Sequence, residues 1–285
     1  MSALYTNDPE RQLEHDRVEN ENSVPRNRTM DKQEVNTLYP INSTTHWTNQ
    51  QGTPAAPVER VPAFYKTIGN PGVLGLAVHA VTLMLLATQF MGWRGVGSPQ
   101  VYIGNLYFTA GLYMFTTAQW CLIKGETLSY CVFGVFSGFY LSFGAILTPA
   151  FGVASTYVGE IGSGTGIDSE YQSLGIFLFV WNGIFTIFFF ISLKTNVALV
   201  VVLGGVSIGV FCLGGMYFAL ARNAAGHGGL GLARSCSKAG GAFLFISALS
   251  GFYLALSQLS ASVEMPFTLP AGDLGRVWAP KKKRS

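Results

Sequence analysis

Charged side chains are scarce in this chain. Asp, Glu, Lys and Arg make up 12% of its 285 residues, and six long apolar stretches contain none of them. Charge at the centre of a bilayer is costly, and about 20 apolar residues suffice for an α-helix to cross the hydrocarbon core. The scarcity excludes an ordinary soluble fold and predicts an all-α, polytopic membrane protein. We place its six transmembrane helices at 72–93, 100–121, 128–149, 173–193, 196–220 and 239–260.

Cysteine and histidine are equally few. The four cysteines lack the paired spacing of a metal site, so we interpret them as packing residues rather than disulfides or ligands. Within the six stretches, His79 is the sole histidine, and no Asp, Glu, Lys or Arg accompanies it. An acid–base pair is therefore missing from the spans. We expect no enzymatic activity, no cofactor or metal and no nucleic-acid partner.

Polar residues are concentrated at the two ends of the chain. Residues 1–66 cannot bury enough apolar surface to offset the entropy of ordering, so we predict a disordered cytosolic tail. Residues 67–260 form the transmembrane domain, and 261–285 form a short basic tail. The lysines near its end leave three interpretations open: contact with anionic lipid, a dilysine retrieval signal, or a solvated terminus.

The distribution of charge predicts the orientation in the membrane. The loop 150–171 carries three acidic residues and no Lys or Arg, whereas Lys124, Lys194 and the C-terminus are basic. Because basic loops remain in the cytosol, both termini are expected there. The loop 221–238 disagrees, since its three basic residues would lie outside. We expect residence in the plasma membrane, although the C-terminal lysines leave an internal membrane open.

Polar side chains recur at helical spacing inside three of the stretches. They are His79, Thr82 and Gln89; Asn105, Thr109 and Thr116; and Asn182 with Thr186. Polar groups in hydrocarbon require partners or water. The stripes therefore line a hydrated pathway or bond one helix to another, and the spacing alone leaves both open.

The first stretch begins at Asn70 and Pro71. Asn is favoured as a helix N-cap, and Pro is favoured at the first helical position. The free N–H groups and partial positive charge of a helix N-terminus are suited to a small carboxylate. An ordinary helix start at the membrane surface explains the same two residues.

Those residues open a set of motifs that resembles the acetate uptake transporter family, which contains the bacterial succinate–acetate permeases and their fungal relatives. The matching segments are 70–76, 125–127, 137–143, Trp181 with 185–186, 193–197 and 238–241. The resemblance implies six helices per subunit, a solute path inside each subunit and ring-like homo-oligomers such as hexamers. It also implies proton-linked uptake, or channel-like passage, of acetate and similar small monocarboxylates. The long polar tail resembles the fungal branch.

The chain departs from the family where the resemblance places a constriction. The family's Phe on the first helix aligns with His79, its Tyr on the third with Phe136, and its Leu on the fifth near Gly205 or Val206. Two polar residues of the family's second helix align with Met114 and Cys121. The predicted pathway residues are Asn70, Pro71, His79, Thr82, Asn105, Thr109, Phe136, Tyr140, Asn182 and Thr186.

These departures support two hypotheses. In the first, the protein transports a small monocarboxylate through an altered constriction and His79 gates the path by protonation, since an imidazole titrates near pH ~6.5. In the second, the protein is a divergent relative that no longer transports and serves as a membrane scaffold or sensor. Export of ammonium or a neutral solute is a third class that stays open. The retained Asn70-Pro71 pair and the polar stripes favour transport.

Overall fold

The computed structural model describes residues 69–159, 166–267 and 269–274. Within these ranges the chain is helical and contains no β-strand, apart from an isolated bridge between Asn196 and Asp273. The predicted all-α class is therefore confirmed. The predicted disordered tail at 1–66 and the basic end at 275–285 lie outside the described residues.

Seven α-helices are formed by the described residues. They are α1 Gly72–Phe90, α2 Tyr113–Ile123, α3 Thr127–Leu147, α4 Val153–Gly159, α5 Ile167–Ser192, α6 Val197–Ala224 and α7 Leu230–Ser262. Short 3₁₀ turns lie at Trp93–Gly95, Gln100–Tyr102 and Pro149–Phe151, and a π-helix lies at Asn105–Leu112. Five helices, all except α2 and α4, are long and apolar enough to cross a membrane.

The predicted second span is divided between two helix types. An eight-residue π-helix, Asn105–Leu112, runs directly into the eleven-residue α2, so neither piece alone has the length of a membrane span. A π-helix leaves backbone groups outside the usual i→i−4 pattern. Here the carbonyl oxygen of Gly111 accepts a hydrogen bond from Oγ of Ser137 on α3 at 2.8 Å. The π-helix and α2 together correspond to the predicted second span, and with the five long helices they are consistent with six crossings.

Several helices extend beyond the apolar stretches that predicted them. α7 begins at Leu230 rather than 239, so Arg234 and Lys238 lie in its first turns rather than in a loop. α5 begins at Ile167, inside the predicted loop 150–171. The reason is that hydropathy identifies the part of a helix suited to hydrocarbon, whereas backbone hydrogen bonding continues through its polar flanks. The 33 residues of α7 extend about 50 Å, well over the ~30 Å of hydrocarbon.

Contacts between helix termini show which ends lie together. Asn70 Nδ2 donates to Gln258 Oε1 at 3.1 Å, and Lys124 Nζ donates to the carbonyl of Gly69 at 3.4 Å. The start of α1 therefore lies beside the ends of α2 and α7, and we call this the Asn70 end. At the other end of α1, the Phe90 carbonyl accepts from Ser237 Oγ. Which end faces the cytosol stays a prediction.

α6 and α7 approach closely because glycine and serine line their contact. A Cβ atom added at Gly205 would lie 2.8 Å from the Cβ of Ser247, and one at Gly209 would lie 2.8 Å from a side-chain carbon of Leu244. Ser247 Oγ donates to the carbonyl of Val202 at 2.7 Å. Gly205 and Gly209 thus permit the close approach of α6 and α7, as small residues do between membrane helices.

The segment 269–274 returns to the start of α6 and caps it. The backbone N–H of Val197 donates to the carbonyl of Gly272 at 2.8 Å, and that of Leu274 donates to the carbonyl of Thr195 at 2.9 Å. Asn196 Oδ1 accepts from the N–H of Leu199 at 2.8 Å. N–H groups at a helix start have no partner inside the helix, so this segment and Asn196 supply the missing acceptors.

Candidate functional site

Between helices of the described part of the chain, two apolar cavities follow one another. The first cavity is lined by Leu76, His79, Met114, Leu128, Ser129, Val132, Phe133, Phe136, Leu199, Val202 and Leu203. The second cavity is lined by Leu83, Leu86, Phe90, Phe136, Phe139, Tyr140, Phe143, Leu178, Val206, Val210, Leu213 and Leu244. No lining residue of either cavity carries a charge.

The two cavities follow one another along α1, α3 and α6, which run in the same direction. On α1 the lining passes from His79 in the first cavity to Leu83 in the second, one helical turn further. α6 shows the same order, with Leu203 in the first cavity and Val206 in the second. Because residues three or four apart lie on one helix face, the lining forms a continuous strip from the Asn70 end toward Phe90.

The ring of Phe136 separates the cavities, and we call this ring, together with the rings of His79, Tyr140 and Phe185 packed around it, the plug. Phe136 lines both cavities and is 1% exposed. The ring of His79 meets it edge to face, with centroids 4.7 Å apart, and the ring of Phe185 stacks on it at 4.4 Å. Such packing holds the Phe136 ring in place between the cavities.

His79 is buried, and only one of its two ring nitrogens has a hydrogen-bond partner. The hydroxyl of Tyr140 lies 3.2 Å from its Nδ1, and the side chain is 3% exposed. Its Nε2 has no hydrogen-bond partner. Buried polar atoms nearly always have a partner in native proteins, so this unpaired ring nitrogen requires an explanation.

Ser129 is the second polar residue of the first lining. It lies in the first turn of α3, is 2% exposed, and its Oγ also has no hydrogen-bond partner. The neighbouring ion pair between Lys124 Nζ and Glu126 Oε1, 3.3 Å apart, is at the Asn70 end and outside the cavity lining.

Other predicted pathway residues bond helix to helix. Asn105 Nδ2 donates to Thr82 Oγ1 at 2.8 Å, and Thr82 Oγ1 donates to the carbonyl of Val78. Thr109 is half-buried in the π-helix, and Thr116 is exposed and donates to its own helix. Neither cavity is lined by these residues.

The predicted stripe on α5 also forms a helix contact. Thr186 Oγ1 donates to the carbonyl of Asn182 at 2.8 Å and lies 2.8 Å from Ser207 Oγ on α6. Asn182 is buried, and its Oδ1 has no partner. Both residues lie outside the lining of the two cavities.

Asn70 and Pro71 start α1 in the predicted manner. Asn70 Oδ1 accepts from the N–H of Gly72 at 3.0 Å, as an N-cap does, and Pro71 has helical backbone angles. Asn70 is exposed, at the surface of the Asn70 end.

Three of the ten predicted pathway residues are thus brought together at the plug, namely His79, Phe136 and Tyr140. Ser129 and Met114 were missed as lining residues. Ser129 could have been found, because it lies seven residues before Phe136 and so on the same face of α3. Met114 could not, since the π-helix before it changes which face of the second span points inward.

Comparisons with known proteins show similarity along most of the chain. The model of the GPR1/FUN34/yaaH family matches residues 52–276. The acetate transporter protein patA of Aspergillus clavatus is 38% identical over 213 residues, which are 74% of this chain and 81% of that protein. The patA protein of Penicillium expansum is 36% identical over 220 residues, 76% of this chain and 83% of that one. The solved structure of the bacterial acetate channel SatP superposes with a TM-score of 0.55 at 22% identity, covering 72% of this chain and all of SatP, which shows a shared fold.

Proposed function

We infer that this chain, which belongs to the GPR1/FUN34/yaaH family, moves a small solute across a membrane. It is an integral membrane protein of the transporter and channel type rather than an enzyme. We propose that it passes acetate, or a related small monocarboxylate, through the first cavity, past the plug and through the second cavity. The similarity to patA, named as an acetate transporter, supports this choice of solute.

The alignment of the two cavities carries the proposal. A solute that enters the first cavity meets Phe136, which also forms the wall of the second cavity. Displacement of this one ring connects the two spaces. The plug therefore acts as a gate, and His79 and Phe185 set how firmly the ring is held.

The proposal also covers the linkage of transport to protons, the oligomeric state and the orientation of the chain in the membrane. The family resemblance supports homo-oligomers such as hexamers and proton-linked movement. The basic residues at Lys124, Lys194 and the C-terminus support cytosolic termini, and residence in the plasma membrane is part of the same proposal. Native mass spectrometry of the detergent-solubilised protein measures the subunit number directly. Gating by protonation of His79 stays a prediction.

Uptake of labelled acetate into proteoliposomes, with and without an inward proton gradient, tests the function. Saturable uptake that the gradient stimulates is expected. Asn70→Ala should abolish most of it, because the change removes the N-cap of α1 at the mouth of the path. Gln258→Ala is the matched control, since it removes only the partner of the Asn70 amide and should retain uptake.

Absence of uptake by folded, oligomeric wild-type protein would reject acetate as the solute. The alternative functions then take its place: a non-transporting scaffold or sensor, or export of ammonium or a neutral solute. Labelled methylammonium in the same liposomes separates the export function from the scaffold.

A further inference from the structure

We propose that an anionic phospholipid binds to the exposed surface of α7, at the end of the bundle opposite the Asn70 end. Its headgroup lies against Arg94, Arg234 and Lys238, and one acyl chain follows the apolar residues next to them on α7. This partner is separate from the solute of the two cavities, so the proposal stands independently of the proposed transport function.

Two of the basic residues share one face of α7. Arg234 and Lys238 are four residues apart in the first turns of this helix, and both are exposed. Neither has an ion-pair partner among the described residues. The acidic residues described at this end, Asp168 and Glu170, belong to α5, whereas α7 packs chiefly on α1 and α6. The positive charge of this face is therefore left for a partner outside the chain.

The chain that follows α1 adds a third basic residue and an aromatic ring beside this face. The ring of Trp93 lies 5.3 Å from that of Phe245, between ring centroids, and is 50% exposed. Phe245 is seven residues beyond Lys238 and so lies on the same face of α7. Arg94 follows Trp93 directly and is exposed. We call Trp93, Arg94, Arg234 and Lys238 the basic rim.

An apolar row continues from the basic rim along α7 toward the middle of the helix. Phe245, Leu249 and Phe252 recur at i, i+4 and i+7, and Leu249 and Phe252 are 51% and 38% exposed. Trp is enriched at the level of the lipid headgroups, and basic residues at helix ends attract anionic lipids. Charge and aromatic surface above an apolar row match a headgroup above its acyl chain. A free phosphate would use the rim and leave the row uncovered, so the surface favours a lipid.

The proposal also gives a role to charges that oppose the predicted orientation. Arg234 and Lys238 belong to the segment 221–238, which the positive-inside rule would keep in the cytosol. Residues that hold a lipid headgroup are explained by that contact, and the orientation predicted from the other loops does not have to be reversed.

The first test compares two lipids that differ only in headgroup charge. Native mass spectrometry of the full chain in detergent measures the binding of phosphatidylglycerol and phosphatidylcholine with identical acyl chains. Phosphatidylglycerol should bind on the order of tenfold more tightly, because each basic residue near an anionic lipid contributes about 1 kcal/mol. Equal affinity for the two lipids would overturn the proposal.

The second test removes one charge from the basic rim. Lys238→Gln should weaken the binding of phosphatidylglycerol about fivefold, the ratio that corresponds to ~1 kcal/mol, and should leave phosphatidylcholine unchanged. Lys194→Gln is the matched control, because it removes an exposed basic charge just before α6, at the Asn70 end. It should bind both lipids as the wild type does. Equal weakening in the two variants would show an effect of net charge alone, and the proposal fails.

The third test concerns the acyl chain. Leu249→Ala shortens the apolar row and should weaken the binding of phosphatidylglycerol about threefold. Ile246→Ala is its control, since Ile246 is also 51% exposed but lies on another face of α7. An effect of Ile246→Ala as large as that of Leu249→Ala would place the chain elsewhere and overturn the proposed row.

Soluble anions separate a lipid site from a site for small anions. Glycerol phosphate carries the charged part of the headgroup without acyl chains, and acetate is the proposed solute. Neither should displace phosphatidylglycerol when present at the same concentration. Displacement by glycerol phosphate would assign the basic rim to a free phosphate, and displacement by acetate would assign it to solute capture; either result rejects the lipid.

Discussion

The two cavities share the wall formed by Phe136 and differ in the polar residues of their linings. His79 and Ser129 belong to the first lining, but their unpaired Nε2 and Oγ are buried rather than open to the cavity. The second is lined by carbon apart from Tyr140, whose hydroxyl contacts His79. Both cavities therefore present carbon almost exclusively, and the polar residues of the two linings lie on either side of the Phe136 ring.

Polar side chains elsewhere in the spans form hydrogen bonds from one helix to another. Thr82 is bonded to Asn105, and Thr186 to Ser207, so these hydroxyls join helices. Hydrogen bonds between helices satisfy polar groups that would otherwise be costly in a lipid environment. Unpaired buried atoms occur outside the two linings as well, since Asn182 Oδ1 and Gln89 Oε1 also lack partners.

Removing the plug is the strongest way to break the distinction between the cavities. Phe136→Ala should merge them, and loss of this buried ring should lower the free energy of unfolding by about 3–5 kcal/mol. Uptake should become faster and less selective for short acids. Phe190→Ala is the control, because that ring is 62% exposed. Wild-type selectivity in a folded Phe136→Ala protein would show that the gate lies elsewhere.

Filling the second cavity should block passage without touching the polar groups of the first. Val206→Phe places a ring beside the plug, where the residue is 1% exposed, and overpacking should cost about 1–3 kcal/mol. Uptake should fall to the background rate, while acetate still raises the thermal unfolding temperature. Val201→Phe, on the exposed side of the same helix, should transport normally. Undiminished uptake by Val206→Phe would exclude the second cavity from the path.

Removing a hydrogen-bonded hydroxyl and removing an unpaired hydroxyl should change the free energy of unfolding in opposite directions. Thr82→Val removes two hydrogen bonds and should lower the free energy of unfolding by about 1–2 kcal/mol. Ser129→Ala removes an unpaired buried hydroxyl and should leave the free energy of unfolding unchanged or raise it by about 1 kcal/mol. Denaturation in detergent measures both. A clear loss of stability in Ser129→Ala would reveal a partner for that hydroxyl and weaken the contrast between the cavities.

The number, position and type of the membrane helices could be predicted from the sequence. Apolar length and freedom from charge are local properties, so the stretches beginning at 72 and 128 match α1 and α3 closely. His79 could be singled out for the same reason, as the sole histidine within the spans. The ordered motifs predicted the family. Helix ends were less predictable, since α7 continues through polar residues before its apolar part.

The pairing of polar residues depended on the tertiary structure. A stripe shows which side chains share a helix face, but not which helix faces it. Asn105 is therefore bonded to Thr82, although the sequence allowed both residues to line water. The π-helix at Asn105–Leu112 also escaped prediction, because its hydrogen bonding is stabilised by contacts such as that between Ser137 and Gly111.

An all-α membrane protein of one transporter family, with six expected spans, could be predicted from the sequence alone, because hydrophobic length and ordered motifs are local properties of the chain. The tertiary structure decided that His79, Phe136 and Tyr140 meet at a plug, and that Ser129 lies on the wall of the first cavity. A cavity is the space left between helices brought together from distant parts of the chain. Its position therefore follows from packing, which no single stretch of sequence contains.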